Sequence, residues 1–150
     1  MKISPFKLNL FLLAKLPAAF ICGVRARQIS PSQCTATVKH RWLNQNPFQS
    51  IYFAVQAMAA ELTTGALVLY QIKKSGANIS MLVAQNKSCF MKKATGRITF
   101  ICKDGDRITD AIQKTITTGE GQTIWMQSIG TNEKGEIVSQ FDFEWTLKRK

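Results

Sequence analysis

A single histidine, His40, stands in 150 residues, and no GxSxG elbow occurs along them. Catalysis of the Ser-His-acid kind needs an imidazole base oriented by an acid, and nothing near His40 in sequence supplies one. That chemistry is excluded, and His40 reads as a core or pocket-lining residue. Cysteine is sparse too. Cys22, Cys34, Cys89 and Cys102 form no CxxC pair and lie in apolar stretches, so they read as buried, reduced thiols. No metal is expected. Glycine-rich phosphate loops are absent, and no cofactor is implied.

Negative charge is the other shortage. Nine Asp and Glu stand against 20 Lys and Arg, for a net charge of +11. Such an imbalance predicts attraction to something anionic: a phosphorylated small molecule, a nucleic acid or a membrane surface. The basic residues are dispersed, and no recognition motif or aromatic-basic RNA motif accompanies them, which argues against a basic nucleic-acid-binding protein. With 45% hydrophobic and 19% charged residues the chain is globular, not disordered. Its length suits one domain over 1–150, and no repeat or low-complexity linker divides it.

The N-terminal stretch "MKISPFKLNLFLLAKLPAAFIC" resembles a leader, but Lys15 interrupts its apolar run and no small-x-small site follows. It reads instead as an amphipathic helix over 1–17, docked through Phe6, Leu10 and Leu13, with Lys2, Lys7 and Asn9 on other faces. A cytoplasmic protein is expected.

Beyond Pro17 the period changes from 3.6 to 2. Residues 21–30 and 33–42 read as strands around a Pro-Ser turn, with Cys34, Ala36, Val38, His40 and Trp42 sharing a face. Residues 78–94 and 95–105 read as two strands joined at Thr95-Gly96. A short amphipathic helix carries Ile108, Ala111, Ile112, Thr115 and Ile116. The chain closes as a hairpin over "NEKG", whose last strand points Phe141, Phe143, Trp145 and Leu147 inward. The fold class is α+β: a curved antiparallel sheet around one long helix, with small helices at the margins.

That helix, predicted over 50–74, follows the loop "NQNPFQ" and is apolar on most sides. Gln56, Glu61, Thr63, Thr64 and Gln71 would sit poorly inside a bilayer, so burial in protein is expected and no membrane partner. At 100° per residue, Ser50, Ala54, Ala57 and Gly65 fall within about 40° of Glu61, while the other polar residues form a separate face. Glu61 thus stands on a stripe of small residues, with room for close approach. A carboxylate there must be paired, hydrogen-bonded or shifted in pKa. It is either a general base in a pocket, or a structural residue paired with a nearby Arg or lying at a subunit seam. Ser50 reads as the helix cap, where free amides favour a negative oxygen. Lys92, Lys93 and Arg97 cluster about a turn and suit ligand phosphates or plain solvation.

The stretches "LPAAFICGVR", "NPFQSIYFAVQAMAAELTTG", "CFMKKATGRITF" and "FEWTLKRK" together resemble the hotdog-fold, thioesterase-like superfamily. The likeness runs from about Leu16 to Lys150 and is strongest to an uncharacterised branch related to phenylacetate-type acyl-CoA thioesterases. Enzymes of that type carry a His-Gly-Gly loop at the helix start and a carboxylate nine residues after the histidine. Here Tyr52 occupies the histidine position, Glu61 the acid position, and Asn46 matches a loop asparagine. The resemblance implies Glu61 as the water-activating group and amides near Ser50 to Tyr52 for the thioester oxygen. Ala57 and Gly65, from the stripe beside Glu61, are expected to line the ligand, and the resemblance sets Lys92, Lys93 and Arg97 by the phosphates of coenzyme A. It further implies an acyl-CoA or acyl-carrier thioester as substrate, and a homodimer or tetramer built on strand 78–92. Loss of His-Gly-Gly leaves a non-catalytic acyl-binding protein as the alternative.

Overall fold

In the computed structural model, which describes residues 3–150, the chain begins with helix α1 (Pro5–Lys15), capped by Ser4 and opened by Pro5. Leu8 and Leu12, one turn apart, are its buried residues. The Asn9 side chain donates to the carbonyl of Ala26 (3.0 Å) and accepts from its amide (2.9 Å), fastening the helix to an edge strand. The expected docking face is therefore corrected: Phe6, Leu10 and Leu13 are 71%, 50% and 51% exposed. The helix is apolar on both sides, so periodicity alone could not choose between them, and the hydrogen-bonding amide of Asn9 decides. It ends at Lys15, and a separate turn, α2 (Pro17–Ile21), follows because Pro17 starts a new helix. Lys2 lies outside the described residues.

Six strands form one antiparallel sheet: β1 (Arg25–Ile29), β2 (Cys34–Lys39), β3 (Ile79–Phe90), β4 (Arg97–Cys102), β5 (Gln122–Thr131) and β6 (Ile137–Arg149), in the order β1-β2-β4-β5-β6-β3. The hairpin β5–β6 is as expected, and Phe141, Phe143, Trp145 and Leu147 are all buried. Strands β3 and β4 follow one another in sequence without pairing. The segment 91–96 carries the chain from one side of the sheet to the other, leaving β3 as an edge with, among the described residues, only β6 beside it. Strand β2 stops at Lys39, so His40 is half-buried and Trp42, on a short 3-10 turn, is 82% exposed instead of sharing the inward face. Of the cysteines only Cys34 and Cys102 are buried, and burial pushes both thiols up to about 12. Cys22 is half-buried and Cys89 is exposed on the β3 edge, because that edge lacks the cover the sequence reading assumed.

Helix α3 (Phe53–Ser75) packs across one face of the sheet and stops where Gly76 takes φ +69°, a conformation that suits glycine. By length and composition it is apolar enough to cross a membrane, yet most of it is buried within the fold. Its polar residues reverse the usual arrangement. Gln56, Thr63, Thr64 and Gln71 are buried against neighbouring structure, each with a hydrogen bond. Ser139 donates to Gln56 (2.8 Å), Thr63 and Ser128 share a bond of 2.8 Å, and the Trp145 indole donates to Thr64 (3.0 Å). Gln71 donates to the carbonyl of Pro31 (2.8 Å). Helix α4 (Gly105–Thr118) packs beside α3, with Ile108, Ile112 and Thr115 buried. Its first residue lies so near the Pro31 carbonyl that a Cβ there would fall 2.1 Å from the oxygen, which requires glycine.

Candidate functional site

The loop before α3 is built by Asn46. Its carbonyl oxygen accepts from the amides of Phe48 (2.9 Å) and Ser50 (3.2 Å), and its amide donates to the Ser50 hydroxyl (2.9 Å). Ser50 is thereby spent on the loop, three residues ahead of the helix, and is not the cap. Tyr52 holds the cap position and makes no side-chain hydrogen bond there, so the first amides of α3 have no capping side chain. Gln49 is held at φ +59°, uncommon for a residue with a side chain.

Asn46 and Ser50 line a cavity of about 350 Å³ with Phe53, Gln56, Phe90, Lys92 and Lys93. Lys93 reaches the carbonyl of Phe48 (3.4 Å), and Lys92 pairs with Glu136. That lysine, with Asn132, holds the Glu136 carboxyl below the usual carboxylate range. The structure thus joins four predicted residues, 46, 50, 92 and 93, at the start of α3. Arg97 is not among them; its amide meets the Glu133 carboxylate (3.2 Å), and its side chain is exposed. Tyr52 is exposed beside Phe53, their rings 5.1 Å apart. Phe90 connects Phe53 edge-on to the core ring of Phe141 (6.3 and 5.6 Å).

Glu61 lies elsewhere, nine residues and roughly 13 Å farther along the helix. Two cavities of about 200 and 300 Å³ meet at it, the first walled by Leu8, Phe11, Leu16, Leu62, Gly65 and Met81. Walls of that kind desolvate the carboxyl, and burial raises its pKa above the ordinary glutamate value. Among the described residues the carboxylate makes no hydrogen bond and no ion pair; Lys15 shares a cavity with it without pairing. The structural ion-pair reading therefore has no partner here. The stripe of Ala54, Ala57 and Gly65 does share its half-buried face. At Gly65, however, the space is largely taken: a Cβ would stand 3.1 Å from the Trp145 ring and 3.2 Å from Glu61 Oε1.

The expectation that amides of Ser50 to Tyr52 would hold an oxygen is corrected: they are bonded to Asn46 (3.2 Å), Ala94 (2.8 Å) and Asn44 (2.9 Å), because the loop closes on itself. Chemically, the helix start offers the amides of Phe53 and Ala54 and nearby cations for an anionic oxygen or phosphate, and the Glu61 cleft offers a basic carboxylate in an apolar trough. Within one chain these two capabilities occupy separate cavities. Sequence reasoning missed the α1 wall. Its signal was the spacing of Leu8, Phe11 and Leu12, which rivals that of Phe6, Leu10 and Leu13.

The family described as a domain of unknown function, DUF4442, matches residues 8–147. No curated protein matches the sequence. Among solved structures, a protein of unknown function from Pseudomonas aeruginosa, called a probable thioesterase, superposes with a TM-score of 0.83 at 22% identity, covering 97% of each chain. A protein of unknown function from Chlorobaculum tepidum gives 0.83 at 15% identity over 98% of each. A thioesterase from Haemophilus influenzae gives 0.73 at 13% identity, covering 99% of this chain and 93% of its own. At these identities the likeness establishes a shared α+β fold, a six-stranded antiparallel sheet packed on a central helix.

Proposed function

The chain belongs to the DUF4442 family, and from that premise we propose that it hydrolyses acyl thioesters, of coenzyme A or of a carrier protein, by activating water at Glu61. One observation carries this reading: the Glu61 carboxylate is half-buried, has no partner among the described residues, and opens into an apolar trough. A carboxylate made more basic by burial is a better proton acceptor, and water held by it can attack a carbonyl beside it. Amides at the start of α3 suit the oxygen that becomes negative in that attack. Lys92 and Lys93 suit the phosphates of the thiol carrier.

Because amides and carboxylate lie in separate cavities of one chain, the working unit we propose is a homodimer. Strand β3 is 12 residues long with one edge open, and its exposed Leu82 and Phe90 favour cover. A second copy added along this edge would bring its own helix start toward the first copy's trough. Four free thiols suit a reducing compartment, and we place the protein in the cytoplasm.

The second reading, an acyl-binding protein without catalysis, is favoured by Tyr52, Phe53 and Ala54 at the helix start. No glycine there allows the close backbone approach of a His-Gly-Gly loop. The two readings part in one assay. Wild-type protein is offered acyl-coenzyme A esters with short, long and aromatic acyl groups, and thiol release is followed beside direct binding. Turnover that Glu61→Gln abolishes supports hydrolysis; binding without turnover supports the alternative.

A further inference from the structure

Helix α1 has two apolar faces, and only one is used. Leu8 and Leu12 enter the core, while Phe6, Leu10 and Leu13 lie within about 60° of arc on the opposite, solvent side. The apolar surface continues through Leu16 and Ile21, 40% and 59% exposed. Arg41 donates to the Ile21 carbonyl (2.9 Å), and the next two residues, Trp42 and Leu43, are 82% and 50% exposed. A row of large side chains open to water is costly unless something covers it.

Charge identifies the cover. No Asp or Glu precedes Glu61, whereas seven Lys and Arg do. Lys7 flanks the exposed row, while Lys15, half a turn of arc away, stands on the inner side beside the Glu61 cavity. A second copy is a poor occupant, because a two-fold contact through this face would set the Lys7 of one copy near that of the other, with no acidic residue of the segment to offset them. An anionic lipid surface answers both features. Apolar side chains enter the acyl boundary, lysines meet phosphate and carboxylate headgroups, and tryptophan prefers the interfacial level. We propose that the outer face of α1, with Ile21 and Trp42 beside it, docks the protein on anionic membrane surfaces. This revises the expectation of no membrane partner, which rested on the poor fit of α3 to a spanning role. A helix lying in the interface meets different requirements. The inference does not depend on hydrolysis at Glu61, although the inner face of α1 walls that trough and docking would set the trough beside lipid.

The test is co-sedimentation of the full chain with sucrose-loaded phosphatidylcholine vesicles, with and without about 30% phosphatidylserine. The wild type is expected to bind the anionic vesicles at low salt, about tenfold or more tighter than the neutral ones, and to release as salt rises. The triple variant Phe6→Ser, Leu10→Ser, Leu13→Ser keeps the buried Leu8 and Leu12 and should partition on the order of a hundredfold more weakly. Lys7→Glu should weaken binding to anionic vesicles alone. Circular-dichroism melting verifies that each variant is folded. Failure of the wild type to bind anionic vesicles, or equal binding by the triple variant, overturns the proposal. So does a change of association state in the triple variant by sedimentation velocity, which would make this face a contact between copies.

Discussion

The two sides of helix α3 treat polar atoms in opposite ways. Toward the sheet, Gln56, Thr63 and Thr64 are buried, and each is matched by Ser139, Ser128 or Trp145. Toward α1, one charged side chain, Glu61, stands among Ala57, Met58, Gly65 and Leu69 without a bonding partner among the described residues. Buried hydrogen bonds that close on themselves hold structure together, whereas an acceptor left open at a cavity can serve a ligand or water. Counting polar residues on a helical wheel would rank the first side as the wet, functional one. Counting their partners ranks it as the frame.

The sharpest way to break this contrast is at Glu61. Glu61→Gln should lose about two or more orders of magnitude in thioester turnover while folding normally, since the amide fills the same volume. A variant that hydrolyses as well as the wild type would remove Glu61 from the mechanism. On the opposite side, Thr63→Val should leave the Ser128 hydroxyl buried without a partner, lowering stability in urea unfolding by about 1–3 kcal/mol. Adding Ser128→Ala should recover part of that loss; a double variant no better than additive would mean the pair is not coupled.

Smaller effects sharpen the picture. Replacing Lys92 and Lys93 with alanine should weaken coenzyme A binding several-fold at low salt and much less above about 0.1 M, as screening grows. Affinity unchanged in isothermal titration would move the phosphate site elsewhere. The finest test is thermal. The Glu61 pKa is raised in the folded state by desolvation, so folding favours the protonated form. Stability from that preference is full below the unfolded carboxylate value and is lost as pH rises through the folded one. Glu61→Gln, neutral throughout, should melt like the wild type in acid and higher than it near neutrality. A lower melting temperature at neutral pH would mean that Glu61 has a stabilising partner after all.

Much of this architecture can be read in the residues. Alternation in Phe141, Phe143, Trp145 and Leu147 marks the last strand, and the long apolar stretch after "NQNPFQ" marks α3. What could not be read is pairing at a distance. Strands β3 and β4 adjoin in sequence, and no local signal says that one belongs beside β6 and the other between β2 and β5. The same limit applied to the site. Asn46, Ser50, Lys92 and Lys93 meet because Ile51 donates to the Ala94 carbonyl (2.8 Å), a contact across 43 residues invisible to spacing. Glu61 was legible as an anomaly on its stripe; the α1 wall that dries it was not, because α1 offered two equal faces.

The bonds on the sheet side of α3 also act as an angular index. They engage the helix at positions 56, 63, 64 and 71, over roughly 22 Å of its axis. A smooth apolar helix can roll in its bed by small amounts, since dispersion contacts barely discriminate between neighbouring settings. A roll of about 20° would carry a carboxylate about 6 Å from the axis through some 2 Å, several times the tolerance of about 0.5 Å that catalysis accepts. Hydrogen bonds at both ends and the middle forbid that roll. Buried Gln56, Thr63, Thr64 and Gln71 are the pins of a keyed shaft, and the bearing of Glu61 is set by residues that never touch what it faces.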